Sequence, residues 1–520
     1  MVQCSTSRDY NVHKEWYVMF PDIKNIRMEN LPRIAPAISR IYNVSEKGIK
    51  HVVALCEGSV GPCALLGKIN ETTTGRDLSN ANLWLDISRP RVGLIFGRRG
   101  SGKSYDLGVI IEALATQNTN CKLGTYCPPV VVFDPLNQFW TLEDKPAKDD
   151  PEEQKQLEEL QRWGISPISL SNLQLLVPRG SPRRHPSAIE FGIQVASMNV
   201  DDWCGFFQVN KYTDPMGQLI SAAYDKVTNS GYTSFQQGNV AARSNYNIDD
   251  LTLCIREDVE INDPNRGFHT NTIRAIIARL AELNRTPLFS GDSDLIIQDI
   301  FASGIISVFM LRDVDEATRG VVVSQIVKKI VQTRSVGRDA EELARRLHVR
   351  GQSAASDDEK QELEKHADSL VKTAAKESVP SGWIVLDEAH TLCPTSGVTA
   401  SREVLIELAK QGRQLGLSII AATQQPSALS TKLCSQRDYI ILHNLGIRQD
   451  VDAGLALLNP NFPSSIGAGK DLITTNIPSI LLNSLKRGEA IFSTDEVNRN
   501  FLIKIRPRAT AHGGKEPLFI

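Results

Sequence analysis

Long apolar runs are missing from this chain. No stretch approaches about 18 uninterrupted apolar residues, so no membrane-spanning helix is expected. The start, MVQCSTSRDYNVHKEW, is polar and has no apolar core of signal-peptide length. A charge excess of one sign is missing too: 58 Lys and Arg stand against 60 Asp and Glu, for a net charge of −2. That balance argues against a wholly basic protein that coats nucleic acid. Any DNA contact must use local positive charge, as in a channel lining. The nine cysteines are scattered without CxxC spacing, and the closest pair, Cys121 and Cys127, is expected to be packing and not a zinc half-site. Together these absences predict a reduced, cytoplasmic protein with no membrane partner. Internal repeats and long low-complexity tracts are also absent.

What is present is a chain of 520 residues, long enough for roughly two to four domains. Residues 1–88 contain the alternating, glycine-broken stretch HVVALCEGSVGPCALLGKI and read as a small β domain. After the polar segment NETTTGRDLSNAN, apolar strand signals appear at VGLIF (92–96) and VVVFD (130–134). Charged helical patterns such as EEQKQLEELQRW then predict an inserted, mainly helical region over 145–299. Strand signals return at IISVFML (305–311), WIVLD (383–387), LSIIAAT (417–423) and YIILHN (439–444). The charged segment 336–380 reads as a solvated helical excursion, and residues 489–520 as a β tail packing on the core or on a neighbouring subunit. Strands alternating with helices predict an α/β fold with a mainly parallel sheet, built from 89–144 and 300–488.

The chemistry is concentrated in three motifs. GRRGSGKS (97–104) follows an apolar strand and precedes a helix. In such a loop the backbone N–H groups of Gly97, Gly100, Ser101, Gly102, Lys103, Ser104 and Tyr105 turn toward phosphate oxygens, and the helix dipole adds to the attraction. Lys103 would reach the β- and γ-phosphates of ATP, and Ser104 would hold Mg²⁺. WIVLDEAH supplies the acids: Asp387 at a strand end near the Mg²⁺ sphere, and Glu388 to polarise the attacking water. His390 and Cys393, just beyond, read as structural. The third motif is QGRQLGLSIIAATQQPSALS (411–430). Its Gln424 ends a strand suited to lie beside WIVLD and to sense the γ-phosphate. Arg413 is either a helix C-cap or an arginine finger for a neighbouring subunit.

With these motifs in order, the chain resembles the HerA-type ATPases of the FtsK–HerA branch of RecA-like P-loop motors. The resemblance covers roughly residues 60–140 and 300–515. It rests on GRRGSGKS, VVVFDP, WIVLDEAHTLCP, GRQLGLSIIAATQQPSALS and the tail IKIRPRATAHGG. It implies a RecA-like core, a small barrel-like β domain ahead of it, and a homo-hexamer holding ATP between subunits. Double-stranded DNA would pass through the pore, and a nuclease or other effector would be the partner. It also implies that Gln424 is the sensor, Arg413 the trans-acting finger, and Arg91 an arginine assisting the same site in cis, with Arg89 close by. The turn DPLNQFW keeps Asp134 but places Gln138 where an acid stands in such proteins, so that position is not counted as catalytic.

Two functions fit this reading: a DNA translocase or helicase in DNA processing or anti-phage defence, and an ATP-regulated ring scaffold that activates a nuclease or a sirtuin-like NAD-consuming enzyme. A two-lobed helicase is discounted. About 280 residues separate the two motifs, and only about 130 remain for a second lobe. The loop PRGSPRRHP, with Arg179, Arg183, Arg184 and His185, reads as a solvated surface loop and secondarily as a pore contact.

Overall fold

The computed structural model describes residues 41–45, 48–55, 62–70, 72–73, 76–77, 80–116, 120–182, 185–289, 295–354, 356–459, 482–494 and 499–513. Its centre is a parallel sheet made from the strongest apolar runs. These are β5 (Val92–Phe96), β6 (Val130–Asp134), β9 (Ile306–Met310), β10 (Gly382–Leu386), β11 (Leu417–Thr423) and β12 (Tyr439–Leu442). Four more strands of this sheet precede β5: β1 (Ile41–Ser45), β2 (Gly48–Ala54), β3 (Cys63–Ile69) and β4 (Asn82–Asp86). The sheet also contains β7 (Leu173–Pro178), β8 (Ile189–Phe191), β13 (Glu489–Thr494) and β14 (Arg499–Ile505), and the two-residue strand Lys122–Leu123 pairs with β3 off the main path. Across the sheet the order is β1-β2-β4-β3-β14-β13-β12-β5-β11-β10-β6-β9-β7-β8. From β12 to β8 every neighbouring pair is parallel.

Runs such as VVVFD are β-branched and continuous because both faces of the sheet are covered, the usual state of a parallel sheet. Side chains alternate between the two faces. Leu94, Phe96, Val131, Phe133, Ile384 and Leu386 join one core, and Ile95, Val130, Val132, Val385 and Ile420 join the other. The second face is covered by α1 (Lys103–Ala115), which is buried along most of its length. The first is covered by helices of the long segment after β8: α3 (Val200–Phe207), α4 (Pro215–Asp225), α5 (Ile248–Glu257) and α6 (Thr270–Leu283). Of these, α3 and α5 start with reciprocal Asn–Asp capping boxes, Asn199 with Asp202 and Asn247 with Asp250. An outlying helix, α2 (Pro151–Trp163), is capped by Asp150 and opens on proline.

Two expectations are refined. The segment 145–299 is not wholly helical, because β7 and β8 extend the main sheet in parallel register beside β9. Their runs, LQLLVP and IEF, are too short to register against the charged helical background. The helical excursion does not begin afresh at 336 either: α7 (Glu316–Gln352) is one helix of 37 residues. Its first half is buried in the core, and its second half pairs with α8 (Asp357–Glu377) as a hairpin with a small apolar seam at Ala344, Leu347 and Ala367. The tail strands β13 and β14 run antiparallel from β12 to β3 and so join the core to the N-terminal strands. Among the described residues, no helix is long and apolar enough to cross a membrane.

Candidate functional site: a phosphate loop facing a carboxylate pair

In an open parallel sheet, ligand-binding groups gather beyond the carboxyl ends of the strands. Here β5 ends at Phe96 and runs into the glycine-rich loop, β10 ends before Asp387, and β11 lies between them and ends before Gln424. The register pairs Thr423 with Phe96 and Ala421 with Leu386, so loop, amide and carboxylates emerge side by side. One inserted strand between the phosphate loop and the acids thus places Gln424 between them.

The loop needs its glycines. A Cβ on Gly97 would sit 2.3 Å from Ser101 Oγ and 2.8 Å from His443 Cβ, and Gly102 has φ 123°. Helix α1 begins at Lys103, so its first N–H groups, those of Lys103, Ser104 and Tyr105 among them, have no intrahelical partner and face the crevice. The Ser101 hydroxyl is buried without a hydrogen-bond partner. Lys103 is buried, and its ammonium donates to the Arg98 carbonyl at 3.2 Å. Burial pulls its pKa below the usual lysine value, while Glu388, Asp387 and Asp106 hold it up.

Opposite the loop, the Ser104 hydroxyl donates to Asp387 Oδ2 at 2.9 Å. Burial first, then the charge of Glu388, pushes Asp387 up to about 6, against the Ser104 hydrogen bond and Lys103. Asp134, at the end of β6, is fully buried and accepts the N–H groups of Leu136, Gln138 and Phe139. It is a turn anchor, and burial together with the Asp387 charge pushes it up to about 7. Glu388, Asp387 and Asp106 therefore surround one ammonium, that of Lys103, and Asp134 lies behind Asp387. An oxygen-lined, negatively charged pocket of this kind fits a hard divalent cation, with Ser104 and Asp387 as the groups to hold Mg²⁺.

Glu388 has a left-handed backbone, φ 49° and ψ 44°, directly after Asp387. Its Oε1 accepts the Gln424 side-chain amide. Its Oε2 is buried without a hydrogen bond and lies 3.5 Å from His390 Nδ1. A carboxylate with one oxygen tied and one free is arranged to take a proton from water. Tyr105 is committed elsewhere: its hydroxyl accepts the Arg508 N–H at 2.7 Å, and burial pushes it up to about 12. Only its backbone N–H is left for phosphate.

The two arginines lie at the amino ends of the central strands, opposite the phosphate loop. Arg91 precedes β5 and is buried, donating to the Leu55 carbonyl, with Nη1 3.9 Å from Asp438 Oδ1. Six residues of extended chain separate it from Gly97, roughly 20 Å. A cis role for Arg91 in its own site is thereby corrected: β5 carries it away from the phosphate loop. Arg413, in the last turn of α9 (Arg402–Leu415), donates to the same Asp438 and is 69 % exposed. Arg91, Arg413, Lys410, Arg437 and Asp438 line a cleft of about 280 Å³ with an excess of positive charge. The loop 178–186 joins β7 to β8, and His185 pairs with Glu143 at 2.8 Å. Arg183 and Arg184 lie outside the described residues.

Two polar positions near the site, His443 and Asp438, escaped the sequence reading, and a third, His390, was read there only as structural. His443, after β12, reaches Asp106 Oδ2 at 2.6 Å and the Glu489 carbonyl oxygen at 2.9 Å beneath the phosphate loop. Asp438 collects two arginines. His390 shares a hydrogen bond of 2.9 Å with Thr423 Oγ1. A polar residue interrupting an apolar strand end was the available signal for His443.

A phosphate loop closing on a serine, a lysine and a paired carboxylate across one inserted strand defines a P-loop ATPase. Residues 80–330 match the family model described as "Helicase HerA, central domain". A curated relative, the DNA double-strand break repair helicase HerA of Pyrococcus furiosus, is 24 % identical over 234 residues, 45 % of this chain and 38 % of the relative. The chain therefore matches well under half the length of that relative. Among solved structures, VirB4 of Thermoanaerobacter pseudethanolicus is similar with TM-score 0.47 and 15 % identity, over 86 % of this chain and 97 % of that one. The conjugative coupling protein TrwB is similar with TM-score 0.41 and 11 % identity, over 89 % and 98 %. The site is that of an ATPase, and over residues 80–330 the chain is similar to the central domain of HerA helicases.

Proposed function

We propose that this chain is the subunit of a hexameric ring that hydrolyses ATP between neighbours to drive double-stranded DNA. It would work with a partner nuclease or other effector in DNA processing or anti-phage defence. The reading rests on Arg413. Its guanidinium is exposed in a basic cleft at the amino ends of the central strands, opposite its own phosphate loop, so any contact it makes with a γ-phosphate is with a neighbour's. The helicase name of the Pyrococcus relative supports the substrate.

In this mechanism the N–H groups of the loop and the Lys103 ammonium hold the β- and γ-phosphates. Bound Mg²⁺, held by Ser104 and Asp387, would neutralise phosphate charge. Glu388 Oε2 accepts a proton from water as its oxygen attacks the γ-phosphorus, and the bond to the β–γ bridging oxygen breaks to leave ADP and phosphate. Gln424 ties Oε1 and senses whether the γ-phosphate is present. Arg413 of the adjacent subunit stabilises the charge that develops.

ATPase assays of the purified chain with and without double-stranded DNA, alongside its mass in solution, test this. A ring-sized assembly stimulated by DNA is expected. A monomer with full activity overturns the ring. An assembly indifferent to DNA but stimulated by a co-purifying protein points to the scaffold.

A further inference from the structure

We propose that His390 is a positioning residue for hydrolysis, keeping Oε2 of Glu388 as the oxygen without a hydrogen bond that accepts the proton of the attacking water. This rests on Glu388 being the base. Its other oxygen is tied by Gln424, but a carboxylate held at one oxygen still swings about that contact. The imidazole of His390 stands beside the second oxygen, Nδ1 lying 3.5 Å from Oε2, too far for a hydrogen bond.

What holds the ring there is Thr423. Its Oγ1 is 2.9 Å from His390 Nδ1 and also accepts the Gln425 N–H at 3.0 Å. Thr423 is fully buried as the last residue of β11, and Gln424 is the next residue. One strand end therefore sets both restraints on Glu388: the amide on Oε1, and through Thr423 the imidazole beside Oε2. Nδ1 faces two acceptor oxygens, Thr423 Oγ1 and Glu388 Oε2, so the tautomer that satisfies the site carries its proton on Nδ1. Bonded to Thr423, that N–H leaves Oε2 able to accept a proton from water. Released from Thr423, it can close the remaining gap and occupy the lone pair that catalysis uses.

The two substitutions therefore act through one element. His390→Ala lets the carboxylate swing, and Thr423→Val lets the imidazole capture it. Each should lower kcat by roughly 10- to 100-fold. Affinity for adenylyl imidodiphosphate, which reports the intact phosphate loop, should stay within about twofold of wild type (about 0.4 kcal/mol or less). The double variant should be no worse than His390→Ala, because the captor is gone. His390→Asn, whose amide nitrogen overlays Nδ1, should recover most of kcat, and Thr423→Ser should behave as wild type.

Full-chain variants assayed for turnover and for nucleotide affinity decide the matter. Wild-type kcat in His390→Ala, no recovery in His390→Asn, effects that multiply in the double variant, or a parallel loss of nucleotide affinity each overturn the role. Glu388→Gln separates the two levels. If it still turns over, the base assignment fails and this inference with it. If it is inactive while His390→Ala is not, only the inference fails.

Discussion

The Ser104 hydroxyl donates to Asp387 Oδ2 at 2.9 Å, joining the first turn of the phosphate-loop helix to the end of a strand two places away in the sheet. Both oxygens lie where a divalent cation on ATP would be held. Ser104→Ala and Asp387→Asn should each reduce Mg²⁺-supported turnover by at least about 100-fold. Nucleotide binding measured in EDTA should change little. Steady-state assays across a Mg²⁺ series check this, and turnover restored simply by raising Mg²⁺ would show a weakened site and not a lost one.

Lys103 and Glu388 separate binding from chemistry. Lys103 lies buried against the Arg98 carbonyl, its ammonium the cation nearest the carboxylates. Lys103→Ala should abolish turnover and weaken nucleotide binding. Glu388→Gln should bind ATP normally and hydrolyse it about 10²- to 10⁴-fold more slowly. Retained hydrolysis in Lys103→Ala would remove the phosphate loop from the mechanism.

Arg413 and Asp438 make a third test, because the salt bridge anchors an exposed guanidinium on a buried carboxylate. If the arginine serves a neighbour's site, Arg413→Ala should lower kcat by about 10³-fold or more. Mixing Arg413→Ala with Lys103→Ala subunits should restore part of the activity, since some interfaces then combine an intact loop with an intact arginine. No rescue in assemblies verified as mixed would argue against a shared site.

How far the site was legible depended on how far apart its parts lie in sequence. GRRGSGKS and WIVLDEAH each carry strand, turn and chemistry in one contiguous stretch, so their roles could be read locally. The adjacency of β11 to β10 was also inferable, because both are short, buried runs ending in polar residues. Arg91 misled for the opposite reason. It is six residues before Gly97, yet the extended strand between them puts it at the opposite end of the strand from the phosphate loop. The His443–Asp106 contact spans 337 positions and exists only because β12 lies beside β5. Strands β7 and β8 hid among charged helices because a parallel edge strand of three to six residues leaves little periodicity to detect.

Asp134 and Asp387 give the nucleotide-free protein a pH signature. Both carboxyls are raised, to about 7 and about 6, with burial the largest cause in each. The folded state thus binds these protons more tightly than the unfolded chain, whose carboxyls titrate near 3.8. Their stabilising contribution is complete below that value and is lost as pH rises through 6 to 7. Removing one group in Asp134→Asn should make the fall in Tm between about pH 4 and 7 shallower. Thermal unfolding without nucleotide or Mg²⁺ measures the slope, and an unchanged slope would assign it to other groups.

Glu112 offers a stability test remote from the chemistry. It lies fully buried in α1, accepting Arg506 Nη1 at 2.9 Å, the Ala509 and Thr510 N–H groups and the Thr510 hydroxyl, with Arg508 Nε 3.5 Å away. The tail RPRAT is thereby fastened along the helix that begins with Lys103. Glu112→Ala would leave two buried guanidinium groups without their carboxylate, at a cost of about 3–5 kcal/mol. Urea unfolding should show the loss, with an unchanged m-value if the folded state keeps its extent. Glu112→Gln keeps the volume and one acceptor oxygen, so it should lie between wild type and alanine. The order matters more than the size: glutamine as damaging as alanine would mean that charge, and not hydrogen bonding to the tail backbone, holds the tail on the phosphate-loop helix.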